Sequence, residues 1–441
     1  MDQLNNNNVI DKKLDLTLPE LEEFFRANIN SEKNESRDCQ FTSLIEIMTL
    51  MNYKDKPEVD QEGKPILRRT TAVHFVARRD LPLESPKIRT LFRVYDRFEA
   101  NYVDETGLSH FHVACRYGFH DVVERFIEAG QSPDFRALKR VDPPLHLALH
   151  HGHWKTAELL LSRGRADPTA TSRDGLTALH VLSQNQKCDT GLAQTLLQLG
   201  DLDVRVDAWD KFGNTPLHLA LHWGNPKMVE LLLRRGSNPN FVNNAGMSPL
   251  HVVSRRDRHG HLAELFFGVA DEMYLSVKVD VRDNKGNTPL HYALERGLKR
   301  VVDLLLRRGA EPNLACADGG NCLHILCRQK CDGELIEAFF RVVNERLQLM
   351  EVNARDKRGD TPLHLALRRD DKAMAEMLLR SGADSLLANN EGDTPLLMMS
   401  RNLDVYRDLL DILSSLTFDQ PQTVHVDVAG SSAQTVTYTV V

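Results

Sequence analysis

Residues 215–236 read "TPLHLALHWGNPKMVELLLRRG", two short apolar runs set off by polar punctuation. In the first run Leu217, Leu219 and Ala220 fall at helical spacing. Thr215 stands ahead of it, where a hydroxyl accepts from an orphan backbone N–H. Pro216 takes the first helical position, where a missing N–H costs nothing. Gly224-Asn225 then breaks the run. Met228, Val229, Leu231, Leu232 and Leu233 crowd one side of a second segment. Arg234 and Arg235 close it, as cations favour the C-terminal end of a helix dipole. The stretch predicts a pair of short helices followed by a loop and a tight turn at "NNAG".

The pair recurs. Aligned on the slot of His218, the series is His74, His112, His146, His180, His218, His251, His291, His324, His364 and then Leu397. The spacings are 38, 34, 34, 38, 33, 40, 33, 40 and 33 residues. A fixed period of this size predicts a stacked all-α solenoid rather than several globular domains. His218 to His291 and His291 to His364 are both 73 residues. The longer members, "GHLAELFFGVADEMYLSVKVDVRDNKG" and "GELIEAFFRVVNERLQLMEVNARDKRG", also match each other, which points to duplication of a two-repeat unit.

With its T-P-L-H-x-A core, helix pair and Gly-containing turn, the pattern resembles the ankyrin repeat. The fullest copies carry Thr215, Pro216, His218; Thr288, Pro289, His291; and Thr361, Pro362, His364. "TAVH", "SHFH" and "PPLH" near the start depart from it. "YVDETGLSHFHVACRYG" is also similar to the ankyrin expansions of hymenopteran insects. The resemblance implies about nine to ten helix-pair repeats over residues 66–416, joined by short β-hairpin loops. It also implies that each motif histidine bonds its own threonine and a backbone group of a neighbouring loop. Residues 1–65 hold two amphipathic segments, "TLPELEEFFRAN" and "FTSLIEIMTLMNY", expected to cap the stack. Residues 417–441 alternate β-branched residues around a Gly-Ser turn: a hairpin, a flexible tail, or a strand offered to a partner.

Composition narrows the function. The formal charge of −7, from 55 basic and 62 acidic residues, lacks the basic excess of a nucleic-acid binder. The polar start has no apolar core of a signal peptide, and no run reaches the roughly 18 apolar residues of a membrane span. Seven scattered cysteines then fit reduced thiols in the cytoplasm or nucleus.

The histidines invite a metal or an acid–base site. One ring per layer, about 10 Å from the next, cannot share an ion held at about 2 Å. "HHGHW" and "HGH" lack ligands to complete a tetrahedral set. Cys316, Cys322, Cys327 and Cys331 do not have a zinc spacing, and buried thiols acting as small hydrophobes explain them. Nucleotide loops and hydrolase, metalloprotease and kinase motifs are missing, so neither enzyme nor cofactor is expected.

The two residues ending each first helix carry a different signal. They include Arg78, Arg79, Arg116, Tyr117, His222, Trp223, Arg255, Arg256, Arg296, Arg328, Arg368, Arg369 and Arg401. Ten of the twenty positions are arginine and one is acidic, a local reversal of sign in an acidic chain. Dipole complementation and salt bridges to tip aspartates such as Asp210, Asp283 and Asp356 would explain this structurally. A groove for an acidic or phosphorylated protein segment would explain it functionally, since arginine binds both groups bidentately. The expected function is therefore a non-enzymatic scaffold or adaptor binding a protein partner on the concave surface. A ubiquitin-ligase substrate receptor is the alternative, although no SOCS-box or F-box-like pattern follows Leu416. A nucleic-acid-associated regulator is a further one. The ending Thr439-Val440-Val441 also fits PDZ-type capture.

Overall fold

The structure, a computed structural model, describes residues 54–78, 86–136, 141–186, 190–198, 205–329, 333–346, 349–416, 422–428 and 434–440. The two expected capping helices lie outside these residues. The chain forms two compact units, residues 1–211 and 212–441.

The first unit contains four helix pairs: α1 (Ala72–Arg78) and α2 (Pro86–Val94), α3 (His110–Arg116) and α4 (His120–Glu128), α5 (Pro144–His150) and α6 (Trp154–Ser162), α7 (Ala178–Gln184) and α8 (Thr190–Gln198). The second contains six: α9 (Pro216–Trp223) and α10 (Pro226–Arg234), α11 (Pro249–Arg256) and α12 (His261–Glu272), α13 (Pro289–Glu295) and α14 (Lys299–Arg307), α15 (Cys322–Arg328) and α16 (Gly333–Glu345), α17 (Pro362–Arg368) and α18 (Lys372–Arg380), α19 (Pro395–Ser400) and α20 (Leu403–Leu416). Ten pairs among the described residues match the expected count, and α12 and α16 are the lengthened second helices of the 73-residue unit. Among the described residues no helix is long and apolar enough to cross a membrane.

Each pair buries the faces that the sequence pattern marks. In α9 and α10, Leu217, Ala220, Leu221, Met228, Val229, Leu232 and Leu233 are fully buried. Each buried leucine contributes roughly 1.5–3 kcal/mol. Within the second unit the first helices stack in one row from α9 to α19. The second helices form another, α10 on α12, α14 on α16 and α18 on α20.

The loops are turns rather than ladders. One backbone bond closes each neck, as from the Asn243 N–H to the Met247 carbonyl (3.0 Å) and from Asp356 to Asp360 (2.9 Å). The neck side chain accepts again inside the turn: Asp356 Oδ1 takes the N–H groups of Arg358 and Asp360 at 2.9 and 3.0 Å. Neighbouring tips are tied by backbone bonds, including Lys357 N–H to Asp318 carbonyl and Asn390 N–H to Arg358 carbonyl, both 2.9 Å. Gly359 shows how close they come. It has φ +74°, and a Cβ there would meet Asn390 Oδ1 at 2.5 Å. In the tail, β1 (Gln422–Val428) pairs antiparallel with β2 (Gln434–Val440), which selects the hairpin among the sequence alternatives.

Candidate interaction site

The motif histidines are fasteners. In α9, Thr215 and His218 form a reciprocal capping box. The Thr215 N–H donates to His218 Nδ1 at 3.1 Å, and His218 Nε2 reaches the Met247 carbonyl of the next loop at 3.0 Å. An acceptor at Nδ1 and a donor at Nε2 define one neutral tautomer. His291 repeats this through Thr288 and the Leu314 carbonyl (2.9 Å both), and His364 through Thr361 (3.1 Å) and the Asp393 carbonyl (3.0 Å). The pattern is incomplete in the first unit, where Nε2 of His74 and of His112 is buried without a hydrogen-bond partner. Those rings belong to the divergent "TAVH" and "SHFH" copies. Burial pushes His74, His146 and His291 down to about 4 and His112 to about 3.

Among the described residues no three histidine, cysteine, aspartate or glutamate side chains are placed to hold a metal. Cys322 and Cys327 are fully buried, and burial pushes the Cys322 thiol well up, as for small core hydrophobes. Cys331 lies outside the described residues.

The arginines occupy the helix ends, but their surroundings differ. In the first unit Arg78 pairs with buried Asp104 (2.8 Å) and with Glu105 (2.9 Å). Arg116 lies 5.9 Å from the Tyr117 ring centroid. Tyr117 itself is buried and stacked on Phe119, so its ring packs the core instead of lining a surface. Arg79 lies outside the described residues.

In the second unit Arg368 grips buried Asp360 through both guanidinium nitrogens, at 2.7 and 3.0 Å. Burial raises that carboxyl, but the Arg368 and Asn389 hydrogen bonds outweigh it and hold the group below the usual carboxylate range. Arg401 pairs with Asp393 (2.9 Å) and Arg328 with buried Asp356 (2.8 Å). Arg255 covers the Tyr292 ring at 5.1 Å. Arg296 is exposed with no acidic partner among the described residues. Arg369 donates to the Arg328 carbonyl, a neutral acceptor.

Where α9 and α11 end, His222, Trp223, Arg256, Arg258 and Leu262 line a cleft of about 510 Å³. Trp223 is 48% exposed. Arg256 donates to His222 Nε2 at 3.1 Å, which requires a neutral ring. Burial, then Arg256 and Arg255, lower the affinity of that ring for a proton. Asp257 at the cleft is occupied elsewhere, its two oxygens accepting from the Gly260 and Ala263 N–H groups at 3.0 and 2.7 Å.

Sequence reasoning missed two groups. Asp360 and Asp393 stand four residues before the histidine slot, and the arginines they hold stand four after it. That eight-residue spacing was the available signal. Lys357 and Arg358 sit on the tip, outside the helix-end positions where the arginines recur.

The family model described as ankyrin repeats matches residues 43–172, 145–243, 223–316 and 323–419. The B-cell lymphoma 3 protein homolog of Mus musculus is 32% identical over 283 residues, covering 64% of this chain and 58% of that protein. Ankyrin repeat and SOCS box protein 16 of Mus musculus is 32% identical over 208 residues, 46% of this chain and 42% of that protein. The chain thus spans about half the length of these relatives. The crystal structure of the ankyrin repeat domain of Bcl-3 aligns at a TM-score of 0.44 and 26% identity, covering 53% of this chain and all of that one.

Proposed function

Because the chain belongs to the ankyrin-repeat family, whose repeats are protein-interaction modules, we propose that it is a non-enzymatic scaffold or adaptor. It holds an acidic or phosphorylated segment of a protein partner on the arginine-bearing face of its second unit. The observation that carries this is the cleft at the ends of α9 and α11. A half-exposed tryptophan beside arginines is the composition of interface hot spots. Arg258 has no acidic partner among the described residues, and the Asp257 oxygens already accept backbone N–H groups. The arrangement favours an acidic residue next to an apolar one. The scattered cysteines fit an intracellular setting, cytoplasmic or nuclear.

Site-specific photo-cross-linking tests this. A photo-reactive residue replacing Trp223 should capture a protein partner in cells. The same residue replacing Tyr274, 95% exposed beyond α12, should not. Capture from position 274 alone would contradict the proposal.

A second reading is favoured by the SOCS box protein among the relatives. As a ubiquitin-ligase substrate receptor, the chain would co-purify with ligase subunits when the cross-linked partner is absent. PDZ-type capture of the C-terminus is a separate proposal. Thr439 is paired with Thr423 in the hairpin, so strand addition there competes with β1; Val441 lies outside the described residues.

A further inference from the structure

We propose that the cleft between the ends of α15 and α17 and the tip 356–360 is a phosphoryl-binding subsite for a phosphorylated side chain of the partner. This rests on the reading above and chooses between its acidic and phosphorylated forms.

The cleft encloses about 430 Å³. Arg328, Lys357, Arg358, Arg368 and Arg369 line it, against three acids, Asp318, Asp356 and Asp360. Two positive charges remain uncompensated. The cations fall into two kinds. Arg328 and Arg368 are held rigidly by Asp356 and Asp360, carboxylates only 7% and 0% exposed. Those acids are saturated from within: Asp356 also accepts two tip N–H groups, and Asp360 also accepts from Asn389 at 2.8 Å. They orient the guanidinium groups rather than fill the cleft.

Lys357 and Arg358 are the other kind. Neither has an acidic partner among the described residues. Arg369 is engaged only with a carbonyl. The tip that carries Lys357 and Arg358 is fastened on both sides, to Asp318 and to Asn390. The backbone that carries the free cations is therefore fixed in place before a ligand arrives.

Charge decides the ligand class. A phosphate monoester carries about −1.5 to −2 at neutral pH, close to the surplus in the cleft. A carboxylate would cancel half of it. A nucleic-acid backbone, with one charge per phosphate, needs a run of free cations along the face. Here the next helix end has its arginine neutralised, Arg401 by Asp393. Guanidinium forks also match phosphate oxygens bidentately.

The test titrates the full-length chain with acetyl-phosphoserine amide, acetyl-glutamate amide and a single-stranded RNA oligonucleotide, followed by phosphorus and proton NMR. The phosphoserine probe should bind at least tenfold more tightly than the glutamate probe. Lys357→Ala with Arg358→Ala should weaken it at least tenfold, as should Arg369→Gln, with unchanged melting temperatures. Lys227→Ala, on α10, serves as the control. Equal affinity for the two small probes would overturn phosphoryl selectivity while leaving an acidic-segment site standing. Binding of neither probe would overturn the subsite, whereas cross-linking from position 223 tests the wider proposal independently. Displacement of the phosphoserine probe by RNA at lower concentration would also overturn it.

Discussion

At the scale of single residues, buried fastening and the proposed recognition lie five residues apart on one helix, His218 and Trp223. His291 is buried with both ring nitrogens bonded. His291→Ala leaves the Thr288 N–H and the Leu314 carbonyl unsatisfied and opens a void. It should cost about 3–5 kcal/mol, read from urea unfolding. A loss under 1 kcal/mol would show that the ring fastens nothing. Trp223, five residues beyond its own motif histidine, should behave in the opposite way. Trp223→Ala should change stability by about 1 kcal/mol or less, as surface substitutions do. It should weaken partner binding by about 2 kcal/mol or more, as hot-spot truncations do. The fastening role was legible through the resemblance of the recurring threonine and histidine to the ankyrin motif. The state of each arginine was not, because its partner comes from another part of the fold. Arg328 meets Asp356 from 28 residues away, and Arg255 lies over Tyr292.

At the scale of elements, the helix pairs could be read from apolar spacing, proline at the first helical position, and the repeat period. The doubled 73-residue unit correctly marked α12 and α16 as the longer second helices. The tips were less legible. Their order comes from Asx-type side-chain bonds and from contact with the next tip, neither of which leaves an apolar period. Two glycines isolate the contact. Gly359 and Gly382 both have positive φ, +74° and +87°, but only Gly359 faces a neighbour that a Cβ would strike. Gly382→Ala should cost about 1–2 kcal/mol, the penalty of a side chain in the left-handed region. Gly359→Ala should cost at least about 1 kcal/mol more, since Asn390 must move away. Equal losses in equilibrium unfolding would mean that the tip contact contributes nothing.

At the scale of the whole molecule, the buried rings should make stability depend on pH from a higher starting point than the ordinary carboxylates do. His74, His146 and His291 bind protons at about 4 and His112 at about 3 when folded, against 6.5 for an unperturbed ring. Above pH 6.5 both states are neutral and these rings contribute nothing to the pH dependence. As pH falls from 6.5 towards 4, the unfolded chain takes up protons that the native chain refuses, so stability falls. At about 1.4 kcal/mol per pH unit, each ring costs on the order of 3 kcal/mol by pH 4. Melting temperatures should begin to drop near pH 6.5; a curve flat down to pH 4.5 would contradict this. The repeat architecture was plain in the sequence, while the partner was not, since it is not written in the repeat; the expected N-terminal caps lie outside the described residues. On the proposed function, the second unit holds an acidic or phosphorylated protein segment on its arginine-bearing face. Reversing Arg368, as the sequence alone would recommend, would strand the buried Asp360 charge. The direct measurement is therefore quantitative affinity capture with the full-length chain, comparing wild type with a Trp223→Ala, Arg256→Glu, Arg358→Glu, Arg369→Glu variant matched for melting temperature. A loss of specific partners of at least tenfold is predicted, and an unchanged set of partners at unchanged yield would contradict the account.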